Sequence, residues 1–131
     1  MGFDMKKLLF VVLSAAFVLG LSSFAYSPRL AITGSWIGQF QANVTDGSIR
    51  ANFWTEDGEI KGTIDIPSEG VYNVPLSWII VDSNYVHFEL VRDDKTLVFD
   101  GHSTGGMISG TCSCRAQRGS FRLMKETLVV Q

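Results

Sequence analysis

The sequence predicts an all-β fold: a small eight-stranded antiparallel up-and-down barrel behind an N-terminal signal peptide. Three observations carry this. Apolar and polar residues alternate with period two from about residue 34 to residue 125. Turn-forming clusters interrupt that alternation every few residues. No stretch after residue 26 has the 3.6-residue periodicity of a helix. Period two marks strands with one buried face, and short connections make consecutive strands antiparallel neighbours. Closing such a meander into a barrel removes its open edges.

The first 25 residues are set apart from the fold. Lys6-Lys7 precede an apolar run over residues 8–21, and Ser23-Phe24-Ala25 places small residues where a signal peptidase reads. This is the pattern of a cleaved secretory signal. The run is shorter than the roughly 20 residues of a spanning helix, so no stable membrane anchor is expected after cleavage. The predicted location is periplasmic or extracellular. Residues 26–33 form a lead-in, 34–125 the barrel, and 126–131 a tail or the start of a linker.

Each strand follows from its alternation. Trp36, Gly38 and Phe40 share a face. After a turn at "TDGS" (45–48), Ile49, Ala51 and Phe53 alternate with Arg50 and Asn52. Asp57-Gly58 is a hairpin signal, since both central positions of a type I′ turn need positive φ. Ile60, Gly62, Ile64 and Ile66 follow, and "PSEG" (67–70) breaks the strand. Residues 74–81 read as one apolar strand, whose facing the pattern leaves open, as it does for Trp54 and Trp78. "DSN" (82–84) leads to Val86, Phe88 and Leu90, and "RDDK" (92–95) to Leu97, Phe99 and Gly101. "STGG" (103–106) leads to Ile108, Gly110, Cys112 and Cys114, and "QRG" (117–119) to Phe121 and Leu123. Trp36, Phe40, Phe53, Ile64, Phe88, Phe99 and Phe121 are the expected interior. A barrel of eight strands holds a filled core or one small ligand. If it holds a ligand, Trp36, Phe40, Phe53, Phe88, Phe99 and Phe121 are the contacts, and Trp36 fluorescence should respond to an apolar compound.

Catalytic chemistry is not expected. Gly101-His102-Ser103-Thr104-Gly105 fits the G-x-S-x-G of a nucleophile elbow. An elbow, however, joins a strand to a helix. Here the following residues, 107–115, alternate as a strand, and nothing after Ser103 is His or Asp. The pentapeptide reads as hairpin chemistry. Glu56-Asp57 and Asp93-Asp94 lie in turns, where carboxylates are solvated, and His87 points outward beside Glu89. Cys112 and Cys114 share a strand face, too far apart for a relaxed disulfide, and read as small apolar residues. Two thiols without a His/Cys partner pair make a poor zinc site, so neither metal nor cofactor is expected. Residues 26–131 carry nine basic and twelve acidic side chains with no basic stripe, which argues against nucleic acid.

Ile32-Thr33-Gly34-Ser35, Ile60-Lys61-Gly62-Thr63 and Ile108-Ser109-Gly110-Thr111 share I-x-G-[ST]. Glycine at these positions lets strands bend.

Two resemblances add to this. Gly34-Ser35-Trp36 near the first strand and Arg122 on the last are similar to the calycins (lipocalins and relatives). There a G-x-W packs near a basic residue and closes one end of the barrel. More extensively, Gly34 to Gly38, "DGEIKGTID" (57–65), "VPLSWIIVD" (74–82), "FDG" (99–101), "ISGT" (108–111) and "FRLMK" (121–125) resemble a known module. It is the small β-barrel domain at the N-terminus of secreted α/β-hydrolases of the serine-peptidase/esterase kind. The resemblance implies an exported, non-catalytic barrel whose partner is a small apolar ligand or a hydrolase domain. The chain is then either a free-standing copy or the first part of a larger enzyme. No catalytic residue carries over.

Overall fold

A computed structural model describes residues 31–43 and 45–127. The signal peptide, most of the lead-in and the end of the tail lie outside these residues. The fold is all-β. One antiparallel sheet contains β1 (Gly34–Ala42), β2 (Asp46–Glu56), β3 (Glu59–Ile66), β4 (Val71–Pro75), β5 (Trp78–Asp82), β6 (Tyr85–Arg92), β7 (Lys95–Thr104), β8 (Met107–Cys114) and β9 (Gln117–Lys125). A 3-10 turn, Pro67–Glu69, links β3 to β4 and ends on Gly70 in the left-handed conformation.

The strand order is β4-β3-β2-β1-β9-β8-β7-β6-β5, so the first and last strands pair in the middle of the sheet. The sheet curls round one core. Phe53 on β2 meets Phe88 on β6 at 5.6 Å between ring centroids, although five strand boundaries separate them in the ladder. Phe88 also stacks on Phe99 at 4.8 Å, and Phe99 meets Phe121 edge to face at 5.3 Å. Trp36, Phe40, Phe53, Ile64, Phe88, Phe99 and Phe121 are all buried, and no polar or charged residue is buried among the described residues. Core formation rests on apolar burial, worth about 1.5–3 kcal/mol for each large side chain.

Two expectations about the ladder need correction. Among the described residues there are nine strands, not eight, and the hydrogen-bonded sheet is open between β4 and β5 rather than closed. Both differences arise where the sequence reads as one strand over residues 74–81. Pro75 offers no N–H to continue a ladder, and Asn73 already sits at φ 52 beside a register shift at Ile64/Ile66. The next two amides then part. Leu76 donates to Gly62 O on β3 at 2.9 Å, and Ser77 donates to Glu89 O on β6 at 2.8 Å. Residues 76 and 77 thus step from one edge of the sheet to the other. From that corner β4 follows β3 and β5 follows β6.

Several turns also lie elsewhere than expected. Asp46 already belongs to β2, so the first connection ends before it rather than spanning 45–48. Gln117 opens β9, and the turn before it is Arg115-Ala116. β7 runs on through Ser103 and Thr104, leaving a two-residue turn at Gly105-Gly106 with φ 55 and 80. That is the backbone a tight hairpin requires.

The sharp curl depends on glycines at inward positions. A Cβ on Gly38 would stand 1.7 Å from the Arg122 carbonyl oxygen, and one on Gly110 would stand 1.9 Å from that of Asp100. Gly101 lies under the Phe121 ring, where a Cβ would come within 3.0 Å of the ring edge. The aromatic ring thus fills the space that the missing side chain leaves.

Candidate functional site

Two features of the fold invite a functional reading: a polar cluster on the outer face of β6 and β7, and a cavity at the mouth where β1 ends and β9 begins.

The outer cluster is a cross-strand product. Residues 85, 87 and 89 point outward by alternation on β6, and the register sets His87 opposite Asp100 on β7. His87 Nδ1 lies 2.5 Å from Asp100 Oδ1, and Nε2 lies 2.6 Å from Glu89 Oε2. The Tyr85 hydroxyl donates to the same Asp100 oxygen at 2.6 Å. Burial pulls the His87 pKa down, but the hydrogen bonds and charges of Asp100 and Glu89 together outweigh it and raise the value. The His87 contact, then the Tyr85 hydroxyl, lowers the pKa of Asp100. The Asp100 hydrogen bond raises that of Tyr85. Both imidazole nitrogens face carboxylates, so the ring has no free lone pair for a substrate proton or a metal. The arrangement suits an imidazolium clamped between two carboxylates. Sequence alternation identifies Glu89 as a neighbour of His87. Asp100, thirteen residues on, is found only through the register.

Ser103 is not part of this cluster. It shares the inner-facing parity of Phe99 and Gly101, whereas His102 lies on the exposed face beside Tyr85. Ser103 N–H donates to Asn84 O at 2.7 Å in the neighbouring hairpin. Strand β8, rather than a helix, follows the Gly105-Gly106 turn.

The mouth cavity measures about 350 Å³. Its floor is apolar, with Phe40, Ile66, Val71, Leu97, Phe99 and Cys112. Its rim carries Glu69, Arg92, Asp93, Lys95 and Arg118. Arg92 is tied down by a hydrogen bond to Glu69 O at 2.9 Å. Of the six aromatic residues expected to contact a ligand, Phe40 and Phe99 line this cavity. Trp36, Phe53, Phe88 and Phe121 are packed in the core away from it. Cys112 and Cys114 are both free, partly buried and on the cavity wall. Burial pushes the Cys112 thiol pKa up.

The opposite end is shut. Trp36 lies two inward positions back along β1 from Phe40, and its Nε1 donates to Ile32 O at 2.7 Å. Lys125 Nζ stands 5.7 Å from the Trp36 ring centroid and donates to Ala31 O at 3.1 Å. The basic residue on the tryptophan is therefore Lys125, not Arg122. They are three positions apart on β9, so they take opposite faces.

Trp78 is 57% exposed on β5 and Trp54 is 40% exposed on β2, which resolves their facing. Ile80 and Tyr72 are exposed too, so apolar side chains flank the open seam between β4 and β5. Among the described residues no group of three or more His, Cys, Asp or Glu could hold a metal ion. No described helix is long and apolar enough to cross a membrane. No protein-family model, curated protein or solved structure matches the chain.

Proposed function

We propose that this protein is a non-catalytic, exported β-barrel module that takes one small apolar or amphipathic ligand at its mouth. The mouth cavity is the observation that carries the proposal. Its volume of about 350 Å³ falls within the roughly 300–1,000 Å³ of small-molecule sites. An apolar floor beneath a charged rim suits a compound with an apolar body and a polar end. Export rests on the pattern of residues 1–25, and the barrel description on the curl of the sheet about one core. The absence of catalysis rests on the hairpin context of Ser103 and on the occupied nitrogens of His87.

The test is binding of an apolar fluorophore such as anilinonaphthalene sulfonate to the folded protein. Trp36 is a poor reporter, because it sits at the shut end. Saturable one-to-one binding supports the proposal if Leu97→Trp, which fills the cavity, weakens it by about tenfold or more, the equivalent of roughly 1.4 kcal/mol. Equal binding by both proteins rejects it.

A second reading, as the companion domain of a secreted hydrolase, is favoured by the apolar side chains at the seam. Trp78, Ile80 and Tyr72 offer a contact surface beside two unpaired strand edges. Loss of hydrolase-domain binding on Trp78→Ser would support it.

A further inference from the structure

Cys112 and Cys114 occupy alternate positions on β8, and both contribute to the wall of the mouth cavity. Neither is in a disulfide. Alternate residues on a strand stand about 6.6 Å apart with parallel side chains. A disulfide needs Cβ atoms at about 3.8 Å, so direct oxidation requires the strand to distort. A metal ion fits the same gap better. With the zinc–thiolate length of about 2.3 Å as a guide, two metal–sulfur bonds placed in line would separate two sulfurs by about 4.6 Å, a gap that parallel thiols span by leaning together.

The surroundings decide which metal. No third and fourth ligand converges here, since no group of three or more His, Cys, Asp or Glu among the described residues could hold a metal ion. Zinc, which takes four ligands, is therefore poorly served. Thiolates without other donors select soft ions such as copper(I). The complex of two thiolates with a monovalent ion carries one negative charge, and the cavity rim, with Arg92, Lys95 and Arg118 against Glu69 and Asp93, leaves an excess of one basic residue to offset it.

We propose that Cys112 and Cys114 form a two-coordinate site for a soft monovalent metal ion of the copper(I) kind, opening into the mouth cavity. Each thiol loses its proton to solvent as its sulfur binds, and the metal keeps its oxidation state. Because each sulfur binds as a thiolate, binding releases protons and tightens as pH rises. The site goes beyond the apolar-ligand proposal and does not depend on it.

The experiment is anaerobic titration of the reduced protein with copper(I), supplied as its acetonitrile complex against a chromophoric chelator. The expected result is one copper per chain, with an ultraviolet thiolate-to-copper charge-transfer band and no change in oligomeric state. Cys112→Ser and Cys114→Ser should each weaken binding by about a hundredfold or more, since even residues behind the ligands change metal affinity by roughly 10- to 100-fold. Cys112 packs against the core, so the circular dichroism of its variant is checked first; Cys114→Ser carries the test if Cys112→Ser does not fold. Binding by Cys114→Ser as tight as wild type overturns the proposal. So does a single copper bridging two chains. Fluorophore binding in metal-free protein reports separately on the apolar-ligand proposal.

Discussion

Leu76 and Ser77 are neighbours in the chain, yet their amides bind opposite edges of the sheet. Leu76 N–H reaches Gly62 O at 2.9 Å and Ser77 N–H reaches Glu89 O at 2.8 Å. The pair stitches together the two edges that β4 and β5 leave unpaired. Ser77 adds a second stitch, since its Oγ accepts from Val91 N–H at 3.0 Å. Replacing Ser77 by Ala removes the second stitch, and replacing it by Pro removes both. Urea unfolding should show a loss of about 1 kcal/mol for Ser77→Ala and roughly 2–3 kcal/mol for Ser77→Pro. Equal stability of Ser77→Pro and wild type would mean that the corner contributes nothing to holding the sheet together.

Gly38 is a point of steric contact between β1 and β9. Its missing Cβ would lie 1.7 Å from a backbone oxygen, which no rotamer change can relieve. Gly38→Ala should cost roughly 3 kcal/mol or more in thermal or urea unfolding. Gly58, at φ 78 in an exposed hairpin with nothing near its Cβ position, should lose only about 1 kcal/mol on replacement by Asn, which tolerates positive φ better than most residues. Similar losses for both would contradict the close-approach explanation.

The His87 clamp gives a pH dependence of definite sign. The folded pKa of His87 lies above its ordinary 6.5. Its stabilisation is therefore complete below 6.5 and is lost as pH rises through the higher folded value. Asp100 behaves oppositely: its folded pKa lies below the ordinary 3.8, so its contribution is present above that value and is lost as pH falls. The urea midpoint should decline as pH rises above 6.5, and His87→Gln should flatten that decline. An unchanged slope in His87→Gln would assign the titration elsewhere.

Ser103 supplies the test of catalysis. The folded protein and Ser103→Ala should hydrolyse p-nitrophenyl esters at the same background rate. A lower rate in the variant would restore Ser103 as a nucleophile despite its hairpin setting.

Alternation along single strands made much of the core legible. Ile64 and Ile66 against Lys61, Thr63 and Asp65 reveal the buried face of β3, because a strand turns successive side chains to opposite sides. Asp57-Gly58 announced its turn for an equally local reason, the positive φ that both residues adopt. The break at Leu76-Ser77 was not legible. Residues 74–81 are apolar on both sides, so no periodicity marks where one strand ends and the next begins. For the same reason the exposure of Trp78 had to come from the structure.

The outer cluster and the mouth depend on pairing rather than on pattern. Local chemistry determines which residues are strands, which face the core and where several chain reversals fall. Only the tertiary structure decides that Asp100 meets His87, that Lys125 rather than Arg122 covers Trp36, and that Cys112 and Cys114 open into a cavity. The physical reason is that period two specifies a side chain's face but not its partner. The partner is chosen by cross-strand register, and register is set jointly by the whole curled sheet.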